Sequence, residues 1–141
     1  MKRVIVTGAN GFVGSAVCKE LSKNGIHVTA VIRNKDYSSD IFGMNNINIV
    51  CLDLSEIFNL DGILKYRDYE CFYHFAWTGS SGPLRGDYLV QLKNIEYSCQ
   101  AVQVAKRLGC KRFVFAASIM EYEISKLMET NRSIGINTLY S

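Results

Sequence analysis

The stretch that most constrains what this chain can fold into is residues 4–23. Val4-Ile5-Val6 is a short apolar run that reads as a buried strand, and it leads directly into Thr7-Gly8-Ala9-Asn10-Gly11-Phe12-Val13-Gly14. From Phe12 to Lys23 the apolar residues fall at helical spacing. A strand, a glycine turn and a helix in that order make a cradle for the phosphates of a dinucleotide. Gly8 permits the tight turn, Gly11 lets the backbone approach a pyrophosphate, and Gly14 lets the helix pack closely on the strand. The first helical turn then aims free N–H groups and the positive end of its dipole at the phosphates. Three spaced glycines are weak evidence in isolation. The flanking strand and helix make them specific.

The rest of the chain repeats the alternation. Asn24-Gly25 supplies a left-handed helix stop. Val28 to Ile32 reads as a second strand, Ile47 to Leu52 as a third, Cys71 to Ala76 as a fourth and Phe113 to Ala117 as a fifth. A polar stretch before the third strand has room for a short helix near Asp40 to Phe42. Asp53-Leu54 closes the third strand. Ser55 is a candidate cap for a helix from Glu56 to about Tyr66, with Ile57, Leu60 and Leu64 on one face. After the small-residue loop Trp77 to Pro83, a long helix is expected from about Leu84 to Leu108, ended by Gly109, with Pro83 at its start. Tyr88, Leu92, Ile95, Cys99, Val102 and Ala105 recur at steps of three and four and form its expected buried face; Val90, Tyr97 and Val104 leave the other side more apolar than solvent requires. Strands alternating with helices imply an α/β fold with a doubly wound parallel sheet and right-handed crossovers. The expected strand order is 3-2-1-4-5, with the ligand crevice between the first and fourth strands, where the order reverses.

Composition narrows the class. With 141 residues, 48% of them hydrophobic and 21% charged, the chain suffices for one globular domain with a real core. A net charge of +3 with scattered basic residues gives no basic face for nucleic acid. No run approaches the ~18 apolar residues of a membrane span, and the three apolar residues before Thr7 are too few for a signal-peptide core, which points to a cytoplasmic protein. Cys18, Cys51, Cys71, Cys99 and Cys110 form no C-x-x-C pair and are expected to be small core residues in a reducing compartment. His27 and His74 lie far from any cysteine or carboxylate cluster, so no metal site is expected.

Charge at the end of the second strand bears on cofactor choice. NAD-specific sites place an acid there to hold the ribose hydroxyls. This chain has Ile32 followed by Arg33, with Lys35 nearby, and no carboxylate along the sequence until Asp36. A guanidinium pairs bidentately with a 2′-phosphate, which favours NADP, with NAD the alternative if Arg33 instead stacks over the adenine.

Thr7-Gly8-x-x-Gly11-x-x-Gly14, Asp53-Leu54, His74-Phe75-Ala76, Asn94 and Ala117-Ser118-x-x-x-Tyr122 occur in that order along essentially the whole chain. Together they resemble the extended short-chain dehydrogenase/reductase superfamily in its NAD-dependent epimerase/dehydratase branch, a Rossmann fold. The resemblance implies that Thr7, Gly8, Asn10, Gly11, Phe12, Val13 and Gly14 hold the cofactor. It makes Asp53 the acceptor for the adenine amino group, with a backbone contact from Leu54; the plainer reading of Asp53 is a helix cap. Phe75, Ala76 and Trp77 would line the nicotinamide side, and Asn94 would stand near the cofactor, its alternative being a solvent-facing residue. Ser118 would hydrogen-bond the reacting oxygen, or else serve as a strand-end turn serine.

The family uses Tyr-x-x-x-Lys on one helix as proton shuttle. Lowering a tyrosine from its usual value near 10 towards neutrality takes about three units, roughly 4 kcal/mol. Tyr122 and Lys126 have this spacing, but they follow Ser118 too closely and are read as a decoy. Tyr140 stands near the separation the family uses, and its lysine would fall four residues on, past Ser141. The resemblance therefore implies that residues 1–141 are a dinucleotide-binding domain incomplete at its C-terminus, lacking the last strands and the substrate domain. Such a chain would be inactive by itself. As a whole protein it would be an enzyme moving hydride between nicotinamide and a nucleotide-sugar-like carbonyl or alcohol. Thr78 to Gly82 and Met120, Glu121 and Tyr122 would approach that substrate. The alternatives are a dihydroflavonol-reductase-like NADP carbonyl reductase, suggested by Val31-Ile32-Arg33, and a non-catalytic NAD(P)-sensing regulator. Family members also imply a homodimer through the helix from about Leu84 to Leu108.

Overall fold

In a computed structural model, residues 2–34, 40–118, 122 and 125–126 are described. The elements are β1 (Arg3–Thr7), α1 (Phe12–Lys23), β2 (His27–Ile32), β3 (Ile47–Cys51), α2 (Leu60–Ile63), β4 (Cys71–His74), α3 (Tyr88–Arg107) and β5 (Arg112–Phe115). The five strands form one parallel sheet in the order β3-β2-β1-β4-β5, as the alternation of elements requires. β1 is central, and Thr7 at its end pairs with Val31 on one side and His74 on the other.

Both faces of the sheet are covered, so the inner strands are apolar at consecutive positions and each residue serves one core or the other. Ile5, Val31 and Phe72 face a core built with Ile57, Leu60, Leu64, Ala101, Val104, Ala105 and Leu108. Val4, Val6, Val28, Ala30, Ile32 and Cys71 face the other, closed by Cys18 of α1 and by Ile41. α1 has the expected span and stops at Asn24, where Gly25 takes φ 73°.

The structure departs from the expected elements in five places. Residues 40–43 form turns rather than a helix, although Ile41 is fully buried. The expected helix after Asp53 is a 3-10 stretch, Leu54–Asn59, followed by the single turn of α2; Ile57, Leu60 and Leu64 are buried as expected. Its cap is Asp53, whose carboxylate accepts from the Ser55 N–H and hydroxyl, not Ser55 itself. The long helix begins at Tyr88 instead of Leu84, because Asp87 accepts from the Leu89 and Val90 N–H groups; Pro83 opens a separate 3-10 turn, Pro83–Gly86.

The fifth departure concerns which face of α3 is buried. Gln91, Asn94, Ala101, Val104 and Ala105 face the sheet, while Tyr88, Leu92, Ile95, Cys99 and Val102 are exposed. The apolar stripe is rotated by about 100°, one residue's step, from the buried one. Of the expected core face, Ala105 is buried. The cysteines divide similarly: Cys18 and Cys71 are buried and Cys110 partly so, but Cys51 and Cys99 are exposed, and all five are free thiols. Among the described residues no helix is long and apolar enough to cross a membrane, and no cluster of three or more His, Cys, Asp or Glu could hold a metal.

Candidate functional site

A cleft of about 770 Å³ opens at the carboxyl ends of the strands, where the sheet order reverses between β1 and β4. Its floor is the glycine loop. Gly8 takes φ 65°, and a Cβ there would sit 2.8 Å from the Ala76 nitrogen. A Cβ on Gly14 would come within 2.8 Å of the Gly8 carbonyl carbon and overlap its oxygen. Gly11 donates its N–H to the Gly8 oxygen at 3.0 Å and opens α1 with an extended backbone. No side chain caps α1, and its first turn holds no acidic residue. The N–H groups of Phe12 and Val13 therefore end the helix with its positive dipole facing the cleft. The cradle fits a pyrophosphate: it is backbone-lined, crowded wherever a side chain would intrude, and open on the ligand side.

The expected binding residues largely converge on this cleft. Gly8, Asn10, Gly11, Phe12, Val13, Gly14, Arg33, Asp53, Leu54, Phe75, Ala76 and Trp77 all line it. Phe12 is 95% exposed, an aromatic left uncovered at the cleft mouth. Lys35 lies outside the described residues. Arg33 and Asp53 follow adjacent parallel strands, β2 and β3, and stand on the same side of the cleft. The donors of Ser55 hold the Asp53 carboxyl below the ordinary carboxylate range, and the Arg33 charge adds to this. The expectation that no carboxylate opposes Arg33 is thus corrected. Sequence distance hid Asp53, which the β2–β3 pairing brings close.

Two expected residues lie elsewhere. Thr7 turns its side chain away from the cleft into a buried contact with His74. Asn94 is 1% exposed rather than solvent-facing, and it reaches the cleft through the Thr78 backbone. Its Nδ2 donates to the Thr78 oxygen at 2.8 Å, and its Oδ1 accepts from the Thr78 N–H at 2.9 Å. Gln91, one turn earlier, accepts from the Trp77 indole N–H at 2.9 Å and donates to the Leu84 oxygen at 3.0 Å. These two amides hold the loop after β4 against α3. Sequence reasoning passed over Gln91, Ser98 and the side-chain role of His74. The signal was present in Gln91, Asn94 and Ser98, polar residues at helical spacing on a helix whose apolar stripe points elsewhere.

Of the catalytic candidates, Ser118 is partly buried, three residues past the end of β5, and Tyr140 lies outside the described residues. Tyr122 and Lys126 have helical backbone and exposed side chains, with the ammonium 5.9 Å from the ring centre.

A parallel sheet in this order, with a glycine cradle at its reversal, defines the doubly wound nucleotide-binding class of α/β proteins. Residues 4–141 match the NAD dependent epimerase/dehydratase family, and the chain belongs to that family. GDP-mannose 3,5-epimerase 1 of Oryza sativa subsp. indica is 28% identical over 137 residues, covering 94% of this chain and 35% of the relative. Among solved structures, the UDP-N-acetylglucosamine 4-epimerase of Methanobrevibacter ruminantium M1, in complex with UDP-N-acetylmuramic acid, superposes with a TM-score of 0.72 at 26% identity, covering 86% of this chain and 39% of that one. A UDP-glucose 4-epimerase from Stenotrophomonas maltophila with bound NAD shares the fold, with a TM-score of 0.72 at 23% identity over 86% of this chain and 38% of that one. The chain thus spans well under half the length of these proteins.

Proposed function

We propose that this chain is the dinucleotide-binding part of an enzyme that moves hydride between a nicotinamide and a carbon of a nucleotide-sugar-like carbonyl or alcohol. The observation that carries this reading is the uncapped start of α1 above Gly8 and Gly14, which tolerate no side chain, within the cleft at the sheet's reversal. The family and its nucleotide-sugar epimerase relatives support the reaction class.

In this reading the α1 N–H groups and glycine loop hold the pyrophosphate. Asp53, with Leu54, accepts from the adenine amino group at one end of the cleft, and Phe75, Ala76 and Trp77 shape the nicotinamide end. The nicotinamide, when bound, supplies the hydride acceptor and donor. Ser118 orients the reacting oxygen and Tyr140 exchanges its proton. Trp77, the single tryptophan, lines the cleft and reports on binding. Titration with NADH should give saturable energy transfer from Trp77; its absence at millimolar cofactor refutes the reading. Supplied with UDP- or GDP-hexoses, the 141-residue chain should not turn over, and a rate comparable to family enzymes would refute that part.

Cofactor preference turns on Arg33. Its guanidinium favours NADP, while Asp53 beside it tempers the advantage. Arg33→Ala should weaken NADP binding by about tenfold and NAD binding by less than about threefold. Equal loss for both removes the 2′-phosphate argument. The exposed stripe of α3 is proposed to mediate a homodimer.

A further inference from the structure

Beneath the cleft, three side chains and two backbone groups from β1, β4, α3 and the loop after β4 form one chain of hydrogen bonds. Thr7 Oγ1 lies 2.9 Å from His74 Nδ1, and His74 Nε2 lies 3.3 Å from Ser98 Oγ. Ser98 Oγ donates to the Asn94 carbonyl at 2.8 Å, and Thr7 Oγ1 accepts from the Ala76 N–H at 3.3 Å. The direction of the chain is fixed at its Ser98 end. A carbonyl can only accept, so the Ser98 proton is committed to Asn94, and its oxygen must accept from His74. His74 then carries its proton on Nε2 and leaves Nδ1 bare. Thr7 donates to that nitrogen, which leaves the Thr7 lone pairs for Ala76. Every donor has one acceptor in this arrangement. His74 is 4% exposed, beside the stacked rings of Phe72 and Phe113, with centroid distances of 6.4 and 5.9 Å.

We propose that His74, neutral and protonated on Nε2, is a positioning residue of the dinucleotide site. It ties Thr7, at the root of the glycine loop, to Ser98 of α3, and so fixes the separation of the two loops that wall the cleft. Thr7 also accepts the Phe75 N–H through its carbonyl at 3.2 Å, so it carries the pairing of β1 and β4 past the end of the ladder. The separation is critical because the space between Gly8 and Ala76 is too small even for an added Cβ. None of Thr7, His74 and Ser98 lines the cleft, so any effect on the cofactor passes through the loops. The inference rests on reading the cleft as a dinucleotide site.

Long-range ¹H–¹⁵N correlation on the imidazoles tests the tautomer, with exposed His27, the only other histidine, as reference. His74 should show the Nε2–H form alone. Thr7→Val should weaken NADH binding, read by Trp77, by about five- to tenfold, whereas Thr7→Ser should stay within about twofold. Ser98→Ala, at a half-buried site away from the cleft, should mix the His74 tautomers and weaken binding by about threefold; it decides the matter if Thr7→Val does not fold. An Nδ1–H tautomer in the unmutated chain, or unchanged affinity in Ser98→Ala and folded Thr7→Val, overturns the inference while leaving the dinucleotide reading intact. An unmutated chain with the Nε2–H tautomer that fails to bind NADH overturns the dinucleotide reading, and this inference with it.

Discussion

At the scale of single residues, His74 couples stability to acidity. Burial pushes its imidazole down to about 4, against 6.5 for an ordinary histidine. The unfolded chain therefore takes up a proton as pH falls below 6.5, and the folded chain does not do so until about 4. The stability is complete above the first value and is lost progressively between the two, by up to about 3 kcal/mol. Urea midpoints at pH 7 and 4.5 should differ less in His74→Gln than in the unmutated chain; equal pH slopes would refute the assignment. Glycines 8, 11 and 14 were legible from sequence because their role is steric and local. The partners of His74 were not, since Thr7 lies 67 positions away and Ser98 24. Only the β1–β4 register and the placement of α3 bring them together.

At the scale of elements, α3 shows what periodicity can and cannot tell. Its helical character and its end at Gly109 were plain in the sequence. Its orientation was not, because hydrophobicity does not distinguish a stripe that faces a core from one left at the surface. The polar residues that do face inward are bound to the loop after β4, and they offset the cost of burial by pairing. Asn94→Ala should cost about 1–2 kcal/mol and speed exchange of the Thr78 amide by roughly tenfold. If that amide already exchanges at the rate of a free loop in the unmutated chain, the clamp is not there. α2 is likewise shorter than its pattern suggested, because Asp53 starts a 3-10 turn in its place.

At the scale of the whole molecule, the order 3-2-1-4-5 followed from alternation of elements and the handedness of crossovers, and the sheet has it. Burial along its length is uneven. Among the described residues β5 is an edge strand whose Val114 and Phe115 are 38% and 62% exposed, and α3 presents Leu92 and Ile95 at 56% each. Such apolar surface favours association. Replacing Leu92 and Ile95 together by Glu should shift sedimentation towards monomer, with thermal stability changed by less than about 1 kcal/mol, since neither side chain packs in the core. An unmutated chain that is monomeric at high concentration would refute the proposed dimer.

The crowding around Gly8 and Gly14 has a kinetic consequence. Where backbone already touches backbone, the cradle has no looser arrangement from which to close, and a ligand meets it ready-made. Capture of the dinucleotide should then be one bimolecular step, with an observed rate rising linearly with cofactor concentration in stopped flow and no plateau from a slow rearrangement. What such a pocket gives up is breadth: it cannot widen for a bulkier headgroup, and discrimination by the phosphate bridge is rigid from the first encounter.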